Sequence, residues 1–294
     1  MLGWLATMTL GAALAWCYWP TFEKMAERWS NDPQYSHGFL VPLFALIILG
    51  MRGSQWRQAA WQPSGWGLPF LLAGAGLRLY AASRDIVPLD GLSLLPTLVG
   101  LVILSGGWQM LRWCWPALTF LIFMVPLPHQ LEIALSHPLR ALATSLSTFF
   151  LQLLGYPALR EGNVILIDEV RLGVIDACSG LGMLMTFFAL ATALALVIRA
   201  PLFDRLFLIV SAVPIAVIAN VLRITGTGIA YAHSHSEAAH AIMHDLAGWL
   251  MMPIALLLLG LETWFLARLF YQETAKPLTI SLPAGPPARP AVEP

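Results

Sequence analysis

The chain has 294 residues, of which 58% are hydrophobic and 11% charged, and its formal net charge is zero. Soluble domains contain a smaller fraction of apolar residues and a larger fraction of charged ones, so the composition indicates a multi-pass membrane protein. The balanced charge and the lack of a basic tract argue against a nucleic-acid partner. The three cysteines are spaced neither as a disulfide framework nor as a zinc site.

Hydropathy predicts an all-α polytopic fold with about eight transmembrane helices. No basic segment precedes the first apolar run, so we expect a retained first helix rather than a cleaved signal peptide. With the N-terminus inside, the inner connections are short and carry arginine, which fits the positive-inside tendency. The predicted spans are residues 2–19, 38–51, 65–83, 92–108, 113–127, 180–199, 206–225 and 247–266. We expect residues 1–270 to form one transmembrane domain and the proline-rich residues 271–294 to form a disordered cytoplasmic tail.

Three outer segments are longer than simple connections. The first, residues 21–37, ends in a polar stretch, and the third, residues 227–245, carries four histidines. In the second, residues 131–154 have leucine and phenylalanine near helical spacing, with Pro138 interrupting, which predicts a helix or helix pair along the membrane interface. The segment is apolar enough to be taken for a ninth crossing, which would invert the topology after it. The polar residues that argue against full burial in lipid are Ser136, His137, Arg140, Thr144, Ser145, Ser147, Thr148 and Gln152. Residues 163–175 are rich in valine and isoleucine and predict a small β-hairpin leading to Cys178.

Three chemically active side chains are predicted to meet at the outer membrane surface. Cys178 precedes an apolar helix, whose N-terminus favours the thiolate. The roughly 45 residues from Cys178 to Arg223 fit two helices of about 20 residues joined by a short turn, so Arg223 returns to the level of Cys178. The next loop brings His244 to the head of the last helix. A thiolate nucleophile, a histidine that moves protons and a fixed guanidinium that holds an oxyanion together support acyl transfer.

At these residues the chain resembles the exosortase/archaeosortase family of membrane transpeptidases, in its bacterial branch. The similar stretches are Ala177-Cys178-Ser179-Gly180, Ala219-Asn220-Val221-Leu222-Arg223-Ile224-Thr225, His244-Asp245-Leu246-Ala247-Gly248-Trp249, Tyr35-Ser36-His37-Gly38 and Arg160-Glu161-Gly162-Asn163-Val164. The resemblance spans about residues 30–265.

The resemblance implies a cysteine protease or transpeptidase with Cys178 as nucleophile, Arg223 as oxyanion or substrate stabiliser and His244 as general acid and base. Its substrates would be membrane-anchored proteins with a C-terminal sorting signal: a short motif such as Pro-Glu-Pro, a transmembrane helix and a basic cluster. Such enzymes are linked to exopolysaccharide production and surface sorting. We expect a bacterial inner-membrane protein whose active site faces the periplasm, with no cofactor.

Several residues keep two interpretations. His37 either binds substrate or caps the second span, Asn220 either orients Arg223 or packs, and Ser179 is the next candidate nucleophile after Cys178. His240 and His244 share a helix face, which permits a metal site, but no glutamate follows His240 as a zinc protease helix requires, so we predict no metal. A rhomboid-like serine protease is disfavoured by alanine at position 177. The alternative from another class is a transporter or polysaccharide-export component without catalysis, which would carry its charged residues near the membrane midplane.

Overall fold

The computed structural model describes residues 2–53, 62–168, 170–174, 180–198, 200–233, 253–254, 257–265 and 268. The α-helices are α1 (Leu2–Cys17), α2 (Trp19–Asn31), α3 (Leu40–Met51), α4 (Gly67–Arg84), α5 (Val87–Phe120), α6 (His129–Leu153), α7 (Leu181–Val197) and α8 (Leu202–His233). Two 3₁₀ helices are Pro33–Phe39 and Leu121–Met124, and the strands are β1 (Ala158–Glu161), β2 (Val164–Ile167) and β3 (Val170–Gly173). Residues 257–265 are also helical. The predicted helical protein with a small β element is confirmed.

Three helical stretches in the described ranges are long and apolar enough to cross a membrane: Gln34–Met51, Val87–Met124 and Leu202–His233. Two shorter apolar helices, Met8–Cys17 and Leu181–Val197, accompany them. These lengths fit a membrane-spanning helical protein, but they do not confirm the predicted number of about eight spans. The last predicted span, residues 247–266, falls largely outside the described residues.

Helix α5 turns back on itself at Gly107, whose φ of 76° and ψ of −168° are not helical. In a straight helix, Gly91 and Val125 would be about 50 Å apart. Instead, a Cβ built on Gly91 would lie 3.0 Å from Val125 Cγ1 and 3.3 Å from Met25 Sδ. The stretch from Val87 to Met124 is therefore two antiparallel arms, and it reverses at the end of the predicted span 92–108.

Helix α2 forms a layer beside the reversed end of α5 and the start of α6. Its buried face carries residues at helical spacing: Thr21, Met25 and Trp29. Trp29 donates through Nε1 to the carbonyl oxygen of Met124 at 2.9 Å. Arg28 pairs with Glu132 of α6 at 3.3 Å. The ion pair between Arg28 and Glu132 therefore places the start of α6 beside α2.

Helix α6 continues through Pro138 and packs in parallel with the C-terminal half of α8. The Ser147 hydroxyl donates to the carbonyl oxygen of Val221 at 3.3 Å. One turn further along α6 and about two turns further along α8, a Cβ built on Gly228 would lie 3.2 Å from Leu151 Cδ1. Because both helices advance together, α6 runs from the α2 layer toward the end of α8, and the interfacial position of α6 stays a prediction.

Helix α6 buries polar residues and exposes apolar ones, which is the opposite of a surface helix in a soluble protein. The buried polar residues are Ser136, Thr144, Ser147 and Thr148, and the exposed large apolar residues are Leu131, Ile133, Leu135, Leu142, Phe149, Phe150 and Leu153. Thr144 and Thr148 donate to the carbonyl oxygens one turn earlier in their own helix, so their burial leaves no unmet donor. Four of the polar residues that were predicted to keep this segment out of lipid are therefore buried, whereas His137 and Gln152 lie on the largely apolar exposed face.

The predicted β-hairpin is part of a three-stranded antiparallel sheet in the order β1-β2-β3. Strands β2 and β3 form the expected hairpin, in which Val164 pairs with Gly173, and β1 adds a strand that the sequence did not indicate. Gly162 and Asp168 take positive φ in the two turns. The sheet packs on α6 and on the end of α8 through a buried cluster: Ala143, Leu151, Ala158, Ile165, Ile167, Leu172, Val174 and Ile224.

Helices α7 and α8 pack against each other through small residues. The buried core between them contains Phe187, Ala191, Ala195, Leu208, Ala212, Ala216 and Ala219, with Leu259 from the last described helix. Helix α8 continues eight residues beyond the predicted span 206–225 and ends at His233. It does so because Ile229, Tyr231 and Ala232 pack against the sheet cluster. The first part of the predicted third outer segment is therefore helical.

Candidate active site at the start of helix α7

Helix α7 begins at a glycine that no other residue replaces without strain. Gly180 caps the helix with a φ of 81°, in the left-handed region, and its carbonyl oxygen accepts the first helical bond from Leu184 at 2.8 Å. A Cβ on Gly180 would lie 2.8 Å from Asn220 Nδ2. The start of α7 and the middle of α8 therefore touch at this residue.

Helix α8 presents two of the predicted site residues near this contact. Asn220 is 2% exposed and packs directly against Gly180, whereas Arg223 is half-buried one turn further along α8. Residues three apart lie on neighbouring faces of a helix, so the two side chains share one side of α8. Asn220 thus packs against Gly180, and its influence on Arg223 stays a prediction.

The 3₁₀ helix Pro33–Phe39 forms a third wall beside the start of α7. Asp32 Oδ1 accepts a hydrogen bond from the backbone N–H of Gln34 at 3.0 Å, and Pro33 occupies the first helical position, so the Asp-Pro pair sets where the 3₁₀ helix starts. A Cβ on Gly182 would lie 2.8 Å from Gln34 Cα. Gly182 therefore lets the backbone of the 3₁₀ helix approach the first turn of α7.

His37 lies in the same 3₁₀ helix and is only 5% exposed. The carbonyl groups of Gln34 and Phe123 face its ring, yet neither ring nitrogen reaches hydrogen-bond geometry with a partner among the residues that the structure describes. The next residue, Gly38, lies under the indole of Trp29, which leaves no room for a side chain there. The neighbouring Tyr35 hydroxyl accepts from the backbone N–H of Leu127 at 3.3 Å.

A small pocket opens where α6, α7 and α8 meet. Its lining is mostly apolar and ends at the Gly180–Asn220 contact: Leu139, Ala143, Gly180, Leu184, Ala216, Val217 and Asn220. The pocket extends from the candidate site between the helices.

The remaining predicted residues divide into those that the structure describes and those that it does not. Cys178, Ser179, His240 and His244 lie outside the described residues, as do residues 271–294, so their predicted roles stay predictions. His233 ends α8, where its ring contacts Tyr156 and its Nδ1 lies 2.9 Å from the carbonyl oxygen of Ile229. Of the other two cysteines, Cys17 is exposed and Cys114 is buried.

Sequence reasoning missed Gln34, although it lies against the start of α7. The available signal was the Asp-Pro pair before it, which predicts a helical turn, together with its spacing of three residues from His37. Side chains three apart share a face of a 3₁₀ helix. Gln34 and His37 are therefore expected to face the same way.

A comparison of the sequence with known families identifies the family of the chain. The sequence model of the transmembrane exosortase family (Exosortase_EpsH) matches residues 29–261, which include the 3₁₀ helix, the sheet, α7 and α8. No curated protein and no solved structure matches the chain. The match covers well over half of the sequence, in a helical protein with membrane-spanning stretches. The chain therefore belongs to the transmembrane exosortase family and is a multi-pass membrane protein of that sorting-enzyme family.

Proposed function

We propose that the protein is a membrane-embedded cysteine protease or transpeptidase that cleaves the C-terminal sorting signals of exported proteins. Its nucleophile is Cys178, its oxyanion-stabilising group is Arg223 and its general acid and base is His244. The substrates are membrane-anchored proteins with a Pro-Glu-Pro-like motif, a transmembrane helix and a basic cluster. The enzyme works in the bacterial inner membrane with its site toward the periplasm, in exopolysaccharide-associated surface sorting.

The contact between Gly180 and Asn220 carries this proposal. Two residues along a chain lie at most about 7 Å apart, so Cys178 is bound by its own backbone to the neighbourhood of Gly180. Arg223 lies one turn of α8 beyond Asn220. Packing of α7 on α8 at this point therefore supports a site shared by Cys178 and Arg223.

The reaction proceeds through a thioester. His244 takes the proton of the Cys178 thiol, and the thiolate attacks the carbonyl carbon of the scissile peptide bond. The carbonyl oxygen becomes an oxyanion beside the Arg223 guanidinium, which keeps its charge and offers a rigid set of donors. The C–N bond then breaks, and the leaving amine takes the proton from His244. An acceptor nucleophile attacks the thioester carbonyl, gives its proton to His244 and releases the Cys178 thiolate.

A purified reporter tests this function directly. The reporter carries a soluble domain, a Pro-Glu-Pro motif, a transmembrane helix and a basic cluster, and it is combined with the full-length protein in nanodiscs. We expect cleavage near the motif and a covalent enzyme–reporter adduct that hydroxylamine releases, as a thioester requires. A reporter with a scrambled motif serves as the control. Equal cleavage of both reporters, or cleavage with no covalent adduct, would contradict the proposal.

Replacing Gly180 by alanine should disturb the site more than it disturbs the fold. A left-handed alanine costs about 1–2 kcal/mol, and its Cβ would also displace the Asn220 amide. Gly155→Ala is the matched control, because Gly155 has a φ of 89° with nothing near its missing side chain. We expect both variants to unfold at a lower temperature and only Gly180→Ala to lose reporter cleavage. Equal cleavage by the two variants would show that activity does not depend on the Gly180–Asn220 contact.

The proposed orientation predicts which positions are accessible from outside the cell. In a variant without native cysteines, a membrane-impermeant thiol reagent should label His233→Cys, at the exposed end of α8, in intact cells. It should label Lys276→Cys only after the membrane is permeabilised. Mass shifts of the labelled protein provide the measurement. The reverse pattern would contradict a periplasmic site and would require α6 to cross the bilayer.

A further inference from the structure

We infer that Gln34 and His37 form a subsite that binds the peptide main chain of the sorting signal beside the reacting bond. The inference rests on the proposed function and adds a substrate-binding surface to it. Its members lie on the 3₁₀ helix Pro33–Phe39, a different element from those that carry Cys178, Arg223 and His244. In this arrangement the two residues position the substrate and take no part in the proton transfers.

Both side chains hold buried polar atoms that the folded protein does not satisfy. Within the described part of the chain, Gln34 Oε1 is buried without a hydrogen-bond partner. The buried ring nitrogens of His37 face the carbonyl groups of Gln34 and Phe123 but do not reach hydrogen-bond geometry with them. Buried polar groups in native proteins nearly always have partners, and leaving them unpaired is unfavourable. Such atoms collected on one short element indicate a ligand that supplies the missing bonds.

The position of these atoms places them beside the proposed site. Gln34 and His37 are one 3₁₀ turn apart, so their side chains share one face of the helix. Gln34 contacts Gly182, and Gly180, two residues earlier, contacts Asn220 of α8. Gln34 therefore borders the same first turn of α7 that is covalently connected to Cys178, and His37 lies one 3₁₀ turn further along the same helix.

The chemistry of the subsite matches a peptide backbone. The Gln34 side-chain carbonyl accepts a hydrogen bond, and an uncharged imidazole offers one donor and one acceptor. An extended peptide presents alternating N–H donors and C=O acceptors, which complement this set. Main-chain recognition also suits an enzyme that must hold a peptide bond against its nucleophile, whatever the adjacent side chains are.

The charges around the subsite favour a peptide over a phosphate of a lipid headgroup. Gln34 and the imidazole carry no fixed positive charge. The nearby cation, Arg28, is already paired with Asp32 at 3.1 Å and with Glu132 at 3.3 Å, and its guanidinium lies over the Tyr35 ring. An anion would find no unpaired cation among these groups.

The experiment uses Gln34→Met and His37→Gln in the full-length protein. Methionine keeps the Cβ and Cγ that pack near Gly182 and removes only the amide. Gln34→Met can therefore still test the subsite if His37→Gln lowers the stability of the protein. The matched controls are Gln130→Ala and His129→Gln, which change exposed residues at the start of α6. Three quantities are measured in nanodiscs: the Kd of a sorting-signal peptide for each variant combined with Cys178→Ala, kcat and KM for the reporter, and the alkylation rate of Cys178 by iodoacetamide.

We expect each subsite variant to raise Kd and KM about 10-fold, as loss of a hydrogen bond that leaves a buried partner unpaired does. The alkylation rate of Cys178, which needs no peptide, should change less than about twofold, and the α6 controls should match the wild type. This pattern separates binding of the peptide from activation of the thiol.

Two results would overturn the subsite while leaving the proposed function intact. Unchanged Kd and KM in both variants would remove the binding role, and slower alkylation with unchanged Kd would make His37 a proton-handling group instead. A wild-type protein that processes the reporter is needed for either conclusion. A wild-type protein that neither binds nor cleaves the signal would overturn both proposals. Competition of the peptide by anionic lipid vesicles, but not by neutral ones, would replace the peptide by a headgroup as the ligand.

Discussion

Replacing Cys178 by serine should abolish reporter cleavage and leave the amount of protein in the membrane unchanged. Serine has nearly the same size, but its hydroxyl has a far higher pKa than the thiol and supplies almost no anion to attack the carbonyl. We expect turnover to fall by at least about 10³-fold, in line with the loss of other catalytic nucleophiles. The measurement is reporter cleavage at matched membrane levels, with the thioester adduct as a second readout.

The other cysteines provide the controls for this variant. Cys17 is exposed at the end of α1 and Cys114 is buried in α5. Cys17→Ala and Cys114→Ala should both retain cleavage, because neither thiol belongs to the proposed site. If Cys178→Ser cleaved the reporter at a normal rate, Cys178 would not be the nucleophile. Ser179→Ala in that background would then test the neighbouring hydroxyl.

Replacing Arg223 by lysine should slow the reaction by about 10²–10³-fold, which is the usual effect of removing one preorganised oxyanion donor. Lysine keeps the charge and the apolar stem, so it would serve equally well if Arg223 only anchored α8 at the membrane surface. It lacks the planar fork that fits an oxyanion or a carboxylate. We therefore expect kcat to fall more than KM rises, because the lost interaction belongs mainly to the transition state.

Arg205→Lys is the matched control for this change. Arg205 is also half-buried and lies in the first turn of the same helix, far from the contact between Gly180 and Asn220. It should tolerate lysine, and both variants should reach the membrane at wild-type levels. Near-normal cleavage by Arg223→Lys would leave Arg223 as a helix anchor only. Arg223→Ala separates the need for a positive charge from the need for a guanidinium.

The elements near the site could be predicted from local sequence signals. Twenty nearly uncharged residues after Gly180 predict a membrane helix that begins there, and α7 begins at Leu181. The valine and isoleucine residues around Asp168 predict the β2–β3 hairpin. The convergence of α7 and α8 also follows from counting, because the connection between two antiparallel helices is short.

What could not be predicted depends on contacts between distant parts of the chain. The hydroxyl groups of α6 face inward because a neighbouring helix is present, and the amino-acid order does not say which face that helix covers. Strand β1 contains the charged residues Arg160 and Glu161, so its sequence does not indicate a strand. It nevertheless pairs with β2, whose edge on that side is otherwise unpaired. The contact of Gln34 with Gly182 joins segments nearly 150 positions apart, and only the packing of the 3₁₀ helix on α7 brings them together.

The positions of two contacts on α8 have a mechanical consequence. Asn220, which contacts the start of α7, and Ile224, which packs in the sheet cluster, lie about one turn apart and both follow Pro214, the proline inside this helix. The chain enters the cysteine-bearing segment from Val174, in the sheet cluster, and leaves it at Gly180. Both ends of the segment are thus fixed to the same part of one helix. We therefore expect the distance between Val174 and Gly180 to stay constant when the bilayer thins, thickens or tilts the helices.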